Sequence, residues 1–101
     1  MRILLLCYHG MSTSLLVQKM KKEANNRNVK ANIDALPIED LDKIIDNYDV
    51  ILLGPQVKFK ERMVSELCKT HSKKYGIIPS QVYGMVDGKK ALDLALEIFK
   101  K

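Results

Sequence analysis

The chain has 101 residues, of which 47% are hydrophobic, 29% charged and 6% aromatic, enough for one hydrophobic core and too few for two, so residues 1–101 are read as a single domain. Two cysteines make no disulfide framework, no His/Cys spacing suggests zinc, and the longest apolar runs (3–7 and 50–53) fall far below the roughly 20 residues of a membrane span, which excludes insertion and fits a reducing cytoplasm. The formal charge of +5 comes from scattered lysines with no tryptophan and few aromatics between them, which argues against a nucleic-acid partner and for a solvated surface or an acidic protein partner.

The amino end, Met1 to Cys7, briefly resembles a signal peptide, but polar residues and Gly10 follow with no cleavage site. It is read as a first strand over Arg2–Leu6, apolar on both faces as in a buried parallel strand. A helix should start near Ser12 to Ser14 and turn Leu16, Met20 and Ala24 inward, with Leu15 and Val17 alongside. The alternation of Val29, Ala31, Ile33 and Ala35 with polar residues predicts an edge strand over Val29–Ala35. Pro37 should then open a short helix that buries Ile38, Leu41, Ile44 and Ile45. Val50–Leu53 reads as a central strand stopped by Gly54-Pro55. A helix over Lys58–Thr70 is expected to bury Phe59, Met63, Val64, Leu67 and Cys68. Gly76–Ile78 is a short fourth strand ended by Pro79, and Ser80–Asp87 a loop. The last helix runs from Gly88 or Lys89 to Lys100, capped by Asp87, with Ala91, Leu92, Ala95, Leu96 and Phe99 inward.

Strand-then-helix units joined by right-handed crossovers give an α/β fold, a small doubly wound four-stranded parallel sheet of order 2-1-3-4 with helices on both faces. Strands one and three are then neighbours whose connections leave in opposite directions. Ligands bind at the crevice this opens at their carboxyl ends, so residues 7–14 and 54–57 become the candidate site loops.

The first of these loops reads Cys7-Tyr8-His9-Gly10-Met11-Ser12-Thr13-Ser14. A glycine, a run of backbone N–H groups leading into a helix and three hydroxyls make an anion cradle. The same N–H groups would stabilise a Cys7 thiolate, a nucleophile for phosphorus. The arrangement resembles the low-molecular-weight tyrosine phosphatases, whose loop is Cys, five residues, then Arg. Here the sixth residue after Cys7 is Thr13, Arg2 and Arg27 lie outside the loop, and Asp87 is the nearest candidate general acid. Without a positioned arginine, stabilisation of the hydrolytic transition state should be weak. The loop is suited to holding a phosphocysteine without passing it rapidly to water.

Cys7, Gly10, Met11, Ser12, Thr13 and Ser14, the segment Leu52-Leu53-Gly54-Pro55-Gln56, and Tyr83-Gly84 with Asp87-Gly88 together resemble the IIB components of the sugar phosphotransferase system, of the lactose, cellobiose and chitobiose type. The resemblance covers the whole chain. It implies that Cys7 accepts a phosphoryl group from a phosphohistidine on a cytoplasmic IIA component. It further implies delivery to a β-linked disaccharide bound by the membrane IIC permease. The sequence calls for no cofactor or metal, and the protein is expected to act as a monomer. Tyr8 and His9 replace residues commonly small or polar in that family, and a protonated His9 could pair with the phosphate.

Tyr8, His9, Gly10, Met11, Ser12, Thr13 and Ser14 are therefore the candidate phosphate cradle, with Gln56 and Tyr83 as accessory candidates. Met11 is expected to contribute its backbone N–H while its side chain packs under the loop. Cys68 shares a face with Val64 and Leu67 and is read as core. His71 is read as structural, meeting the last carbonyls of its helix. Residues near the loop and Val57 to Lys60 are candidates for the IIA interface. Other readings of the same loop are a thiol redox sensor, which would want a second cysteine nearby, a weak cysteine phosphatase, and a flavin site, for which aromatic walls are lacking.

Overall fold

Along β1 (Arg2–Cys7), Ile3 and Leu5 alternate with Leu4 and Leu6, and all four are fully buried because helices cover both faces of the strand. The computed structural model describes residues 1–8 and 11–101, with the side chains of all of these except Met11 and Ser12. It shows four parallel strands in the expected order, β2 (Asn32–Pro37), β1, β3 (Val50–Leu53) and β4 (Lys74–Ile77). Ile3 to Leu6 stand opposite Val50 to Leu53 on one side and Ile33 to Leu36 on the other.

The two parities of β1 feed two cores. Ile3 and Leu5 join Val50 and Leu52 under α1 (Met11–Asn26) and α5 (Gly88–Lys100), which contribute Leu16, Met20, Ala24, Ala91, Leu92 and Ala95. Leu4 and Leu6 join Ile51 and Leu53 on the opposite face. That face is covered by α2 (Leu41–Ile44), by the 3₁₀ turns Ile38–Asp40 and Ile45–Asn47 around it, and by α3 (Glu61–Thr70). Cys68 belongs to this second core, as its spacing predicts.

Gly88 sets how closely α1 and α5 approach. A Cβ at Gly88 would lie 2.7 Å from the backbone carbonyl carbon of Lys19, closer than packed atoms come. The same end of α5 is capped by Asp87, whose Oδ1 accepts from the Lys90 N–H at 3.1 Å, as expected. Arg27 ties the helices at their other crossing, with Glu23 and Asp93 each 2.6 Å away.

Several boundaries differ from the sequence reading. β2 begins at Asn32 rather than Val29 because Val29 is used to end α1: its N–H reaches back to the Ala24 carbonyl at 2.8 Å, across Asn28 at φ 56°. Pro37 is the last residue of β2, tolerated at the end of an edge strand, and helical turn begins at Ile38. The same device closes α3, with Ser72 at φ 57° and the Lys73 N–H on the Cys68 carbonyl at 2.7 Å, so β4 starts directly at Lys74. β4 is also an edge, where an exposed lysine costs nothing and blocks further pairing.

The expected helix over Lys58–Thr70 is divided. Pro55–Lys60 forms 3₁₀ turns interrupted at Val57 (φ −112°, ψ 15°), and α3 starts at Glu61. Val57 is buried and Phe59 is turned outward, 67% exposed. Met63, beside buried Val64, is also exposed, as are Leu15, beside buried Leu16, and Phe99 in the last turn of α5, so these four are not core residues. The segment expected as a loop over Ser80–Asp87 contains a short helix, α4 (Ser80–Gly84), whose five residues show no apolar stripe. α1 starts at Met11, slightly ahead of the expected Ser12 to Ser14.

Candidate functional site

Cys7 is the last residue of β1 and stands opposite Pro37, at the carboxyl edge of the sheet. It is fully buried, and its Sγ lies 3.7 Å from the Leu36 carbonyl oxygen, to which the thiol donates. Its other neighbour is fixed by the Gly54 N–H, which donates to the Leu6 carbonyl at 3.2 Å and carries the β1–β3 ladder one step past Leu53. Gly54 therefore follows β3 as Cys7 ends β1, side by side at the topological switch of the sheet.

α1 starts only four residues after Cys7 and has no acidic residue in its first turn, so no carboxylate of that turn offsets the positive end of its dipole. Thr13 sits in that turn and is fully buried, Ser14 follows it on the exposed side, and both are engaged with neighbouring groups. Tyr8 is at the rim, 40% exposed, with its ring centroid 5.7 Å from that of Phe59. His9 and Gly10, and the side chains of Met11 and Ser12, lie outside the described residues, and with them the expectations placed on these four.

Gln56 and Tyr83, distant in sequence, are joined. The Gln56 Nε2 donates to the Tyr83 hydroxyl oxygen at 2.9 Å, linking the turn after β3 to α4. The other atom of the amide, Oε1, is buried with no hydrogen-bond partner among the described residues. It folds back over Gly54, where a Cβ would lie 2.5 Å from it. The Gly-Pro-Gln segment thus does more than turn the chain: glycine makes room for the glutamine amide beside the end of β1.

The groups a phosphatase would need are placed elsewhere. Arg2 is at the opposite end of β1, about 17 Å from Cys7 at the rise of a strand, with its guanidinium over the Tyr48 ring at 5.6 Å. Arg27 is held by Glu23 and Asp93, and Arg62 projects from α3 beside Glu66. Asp87 caps α5 next to Gly88, which packs on Lys19, about 12 Å along α1 from its start. It is not a general acid for Cys7. The redox reading lacks its second thiol: Cys68 is buried in the opposite-face core, and burial pushes its pKa up to about 11, which keeps it protonated and inert. His71 is structural, though its ring nitrogen Nδ1 lies 2.9 Å from Asp46 rather than on the helix carbonyls, which are met by its backbone N–H.

Sequence reasoning did not find Phe59 or Met63 as surface residues beside the loop. Both fit a helical stripe, and only the break at Val57 and the competition with Val64 for the core turn them out.

The family described as "PTS system, Lactose/Cellobiose specific IIB subunit" matches residues 2–94. The chain belongs to this IIB family of the sugar phosphotransferase system. As such it is a phosphotransferase component of sugar uptake. The IIB subunit is 37% identical over 97 residues to the oligo-beta-mannoside-specific EIIB component of Bacillus subtilis, covering 96% of this chain and 94% of that one. It is 39% identical over 98 residues to the cellobiose-specific EIIB component of Lactococcus lactis, covering 92% and 91%. Among solved structures, the cellobiose-specific IIB protein of Borrelia burgdorferi superposes with a TM-score of 0.83 at 40% identity, over 99% of this subunit and 92% of that one. The lactose-specific IIB domain of Streptococcus pneumoniae has the same fold, with a TM-score of 0.89 at 22% identity. Among the described residues of this IIB subunit, no helix is long and apolar enough to cross a membrane.

Proposed function

We propose that this IIB subunit, acting as a single cytoplasmic domain over residues 1–101 and as a monomer, carries a phosphoryl group on Cys7. The Sγ attacks the phosphorus of a phosphohistidine on the IIA component. The S–P bond forms as the N–P bond breaks, and the thiol proton is left with the released imidazole. A hydroxyl oxygen of a sugar held by the IIC permease then attacks the same phosphorus, the O–P bond forms as the S–P bond breaks, and the proton lost by the hydroxyl restores the Cys7 thiol.

The observation that carries this reading is the placement of Cys7 at the carboxyl end of β1, where α1 begins just beyond it with no acidic residue in its first turn. Backbone N–H groups of residues 8 to 14 and the hydroxyls of Ser12, Thr13 and Ser14 would receive the phosphoryl oxygens. Gln56 and Tyr83 are accessory: the buried Oε1 of Gln56, without a partner among the described residues, can accept from a donor brought in by the phosphoryl group or the partner's imidazole. The distance of Arg2, Arg27 and Asp87 from the loop supports a stored phosphocysteine over hydrolysis, because positioned charge supplies most of the catalysis in phosphoryl transfer. The sugar belongs to the β-linked disaccharide class, in keeping with the family and with a relative named for cellobiose.

The test is reconstitution with phosphoenolpyruvate, the general phosphotransfer proteins, a cognate IIA and membranes bearing the permease, with cellobiose, chitobiose and lactose as acceptors. Cys7→Ser should abolish sugar phosphorylation, and Cys68→Ala should retain it. Full activity in Cys7→Ser would overturn the assignment.

A further inference from the structure

Next to Cys7 the subunit presents a groove of about 560 Å³ between α3 and the segment 38–42. Its apolar surface is formed by Tyr8, Met63 and Leu67, with Ile38 and Leu41 beneath. Tyr8 is the residue after Cys7, so the groove is continuous with the rim of the phosphotransfer site. Phe59, 67% exposed and stacked near Tyr8, extends the apolar surface beyond the groove. Exposed aromatics and methionine of this kind, gathered at one place, mark an interaction surface.

The rim has the opposite charge to the rest of the molecule. Glu39, Asp42 and Glu66 line it, with Lys60 as the only cation among the described lining residues, on a chain whose formal charge is +5. Arg62 reaches Glu66 only at 3.8 Å, with both side chains largely exposed, a contact that water screens. An acidic rim around an apolar floor fits a basic segment that carries one or two apolar anchors. A neutral or acidic segment would leave the excess of carboxylates over Lys60 without complement.

We infer that this groove docks a basic, apolar-anchored cytoplasmic segment of the membrane permease, placing its bound sugar over Cys7. The inference rests on the phosphocarrier reading and names the acceptor side of it. Lys and Arg are concentrated in the cytoplasmic loops of membrane proteins, which gives the permease the charge that the groove lacks. The phosphoryl donor and the permease must reach Cys7 in turn, and a groove meeting the site at Tyr8 lets the second partner engage from the α2–α3 side of the sheet. Docking of this size is weak and salt-sensitive.

The experiment compares wild type with Glu39→Lys/Asp42→Lys/Glu66→Lys, with the milder Glu39→Gln/Asp42→Asn/Glu66→Gln, and with Met63→Gln. Circular dichroism checks the fold of each. Two quantities are read for each protein: phosphorylation of Cys7 by IIA, by intact mass, and cosedimentation of the unphosphorylated chain with permease membranes and with bare lipid vesicles. The charge reversal should weaken permease binding by about tenfold or more, with the neutralised and Met63→Gln variants losing less, while the IIA step stays within about twofold. Binding to permease membranes unchanged in all three variants would overturn the docking site. So would binding equal on bare vesicles, or a loss confined to the IIA step, which would give the groove to a lipid surface or to the donor. A wild type that binds permease membranes through the groove but never takes a phosphoryl group would contradict the phosphocarrier reading alone.

Discussion

The side-chain amide of Gln56 donates to the hydroxyl of Tyr83 across 2.9 Å, and this bond ties the turn after β3 to α4 beside the end of β1. Tyr83→Phe leaves both atoms of a half-buried amide without a partner among the described residues, since Oε1 already has none there. The expected loss is about 1–2 kcal/mol of stability. Combined with Gln56→Ala, the two losses should fall short of additivity by roughly 1 kcal/mol in urea unfolding. If the pair positions the phosphoryl group, each single variant also slows transfer to Cys7 by a few-fold, read by rapid-quench intact mass; unchanged transfer would confine the pair to a structural role.

Two glycines of the segment 83–88 should respond oppositely. Gly88→Ala places a methyl 2.7–2.8 Å from Lys19 backbone atoms, which cannot yield without moving α1 away from α5. Overpacking of this kind costs about 1–3 kcal/mol, and about 4–8 °C of Tm for each kcal/mol. Gly84 has open space around it and a negative φ. Gly84→Ala should be neutral or stabilise by up to about 1 kcal/mol. Thermal unfolding by circular dichroism distinguishes them.

Alkaline stability should fall in two overlapping steps. Burial first, then the hydrogen bond that the Tyr48 hydroxyl donates to Asp34 at 2.8 Å, push the Tyr48 pKa up from 10.0 to about 12. Burial alone pushes the Cys68 thiol from 9.0 to about 11. Above the lower value of each pair the unfolded chain loses its proton while the folded chain keeps it, so rising pH favours unfolding. The stability these two groups contribute is therefore complete below pH 9 and declines from 9 to 11 through Cys68 and from 10 to 12 through Tyr48. Urea titrations across this range should show the first part flattened in Cys68→Ala and the second in Tyr48→Phe. A wild-type curve level from pH 9 to 12 would contradict these environments.

What could be read from the sequence was what hydrophobic period reports. The two-sided apolar run of β1, the clean run of β3 and the stripes of α1 and α5 give the strand-then-helix alternation; right-handed crossovers then give the strand order, which puts Cys7 and Gly54 at the switch point. What period does not report was misplaced. Val29 and Lys73 close the preceding helices through left-handed Asn28 and Ser72, a backbone requirement that no hydrophobic pattern announces. Phe59 fits the α3 stripe as a sequence, but the break at Val57 shifts the phase and turns it to solvent. α4 is too short to show a period, so Tyr83 had no helix to place it, and its bond to Gln56 emerged only from the fold.

The central claim is that Cys7 holds the phosphoryl group, and intact mass of the chain after incubation with phosphoenolpyruvate, the general phosphotransfer proteins and a cognate IIA tests it most directly. Wild type and Cys68→Ala should each gain one phosphoryl group, mapped to Cys7, and Cys7→Ser should gain none. A wild type left unmodified by a demonstrably phosphorylated IIA, or an adduct that survives in Cys7→Ser, would contradict it.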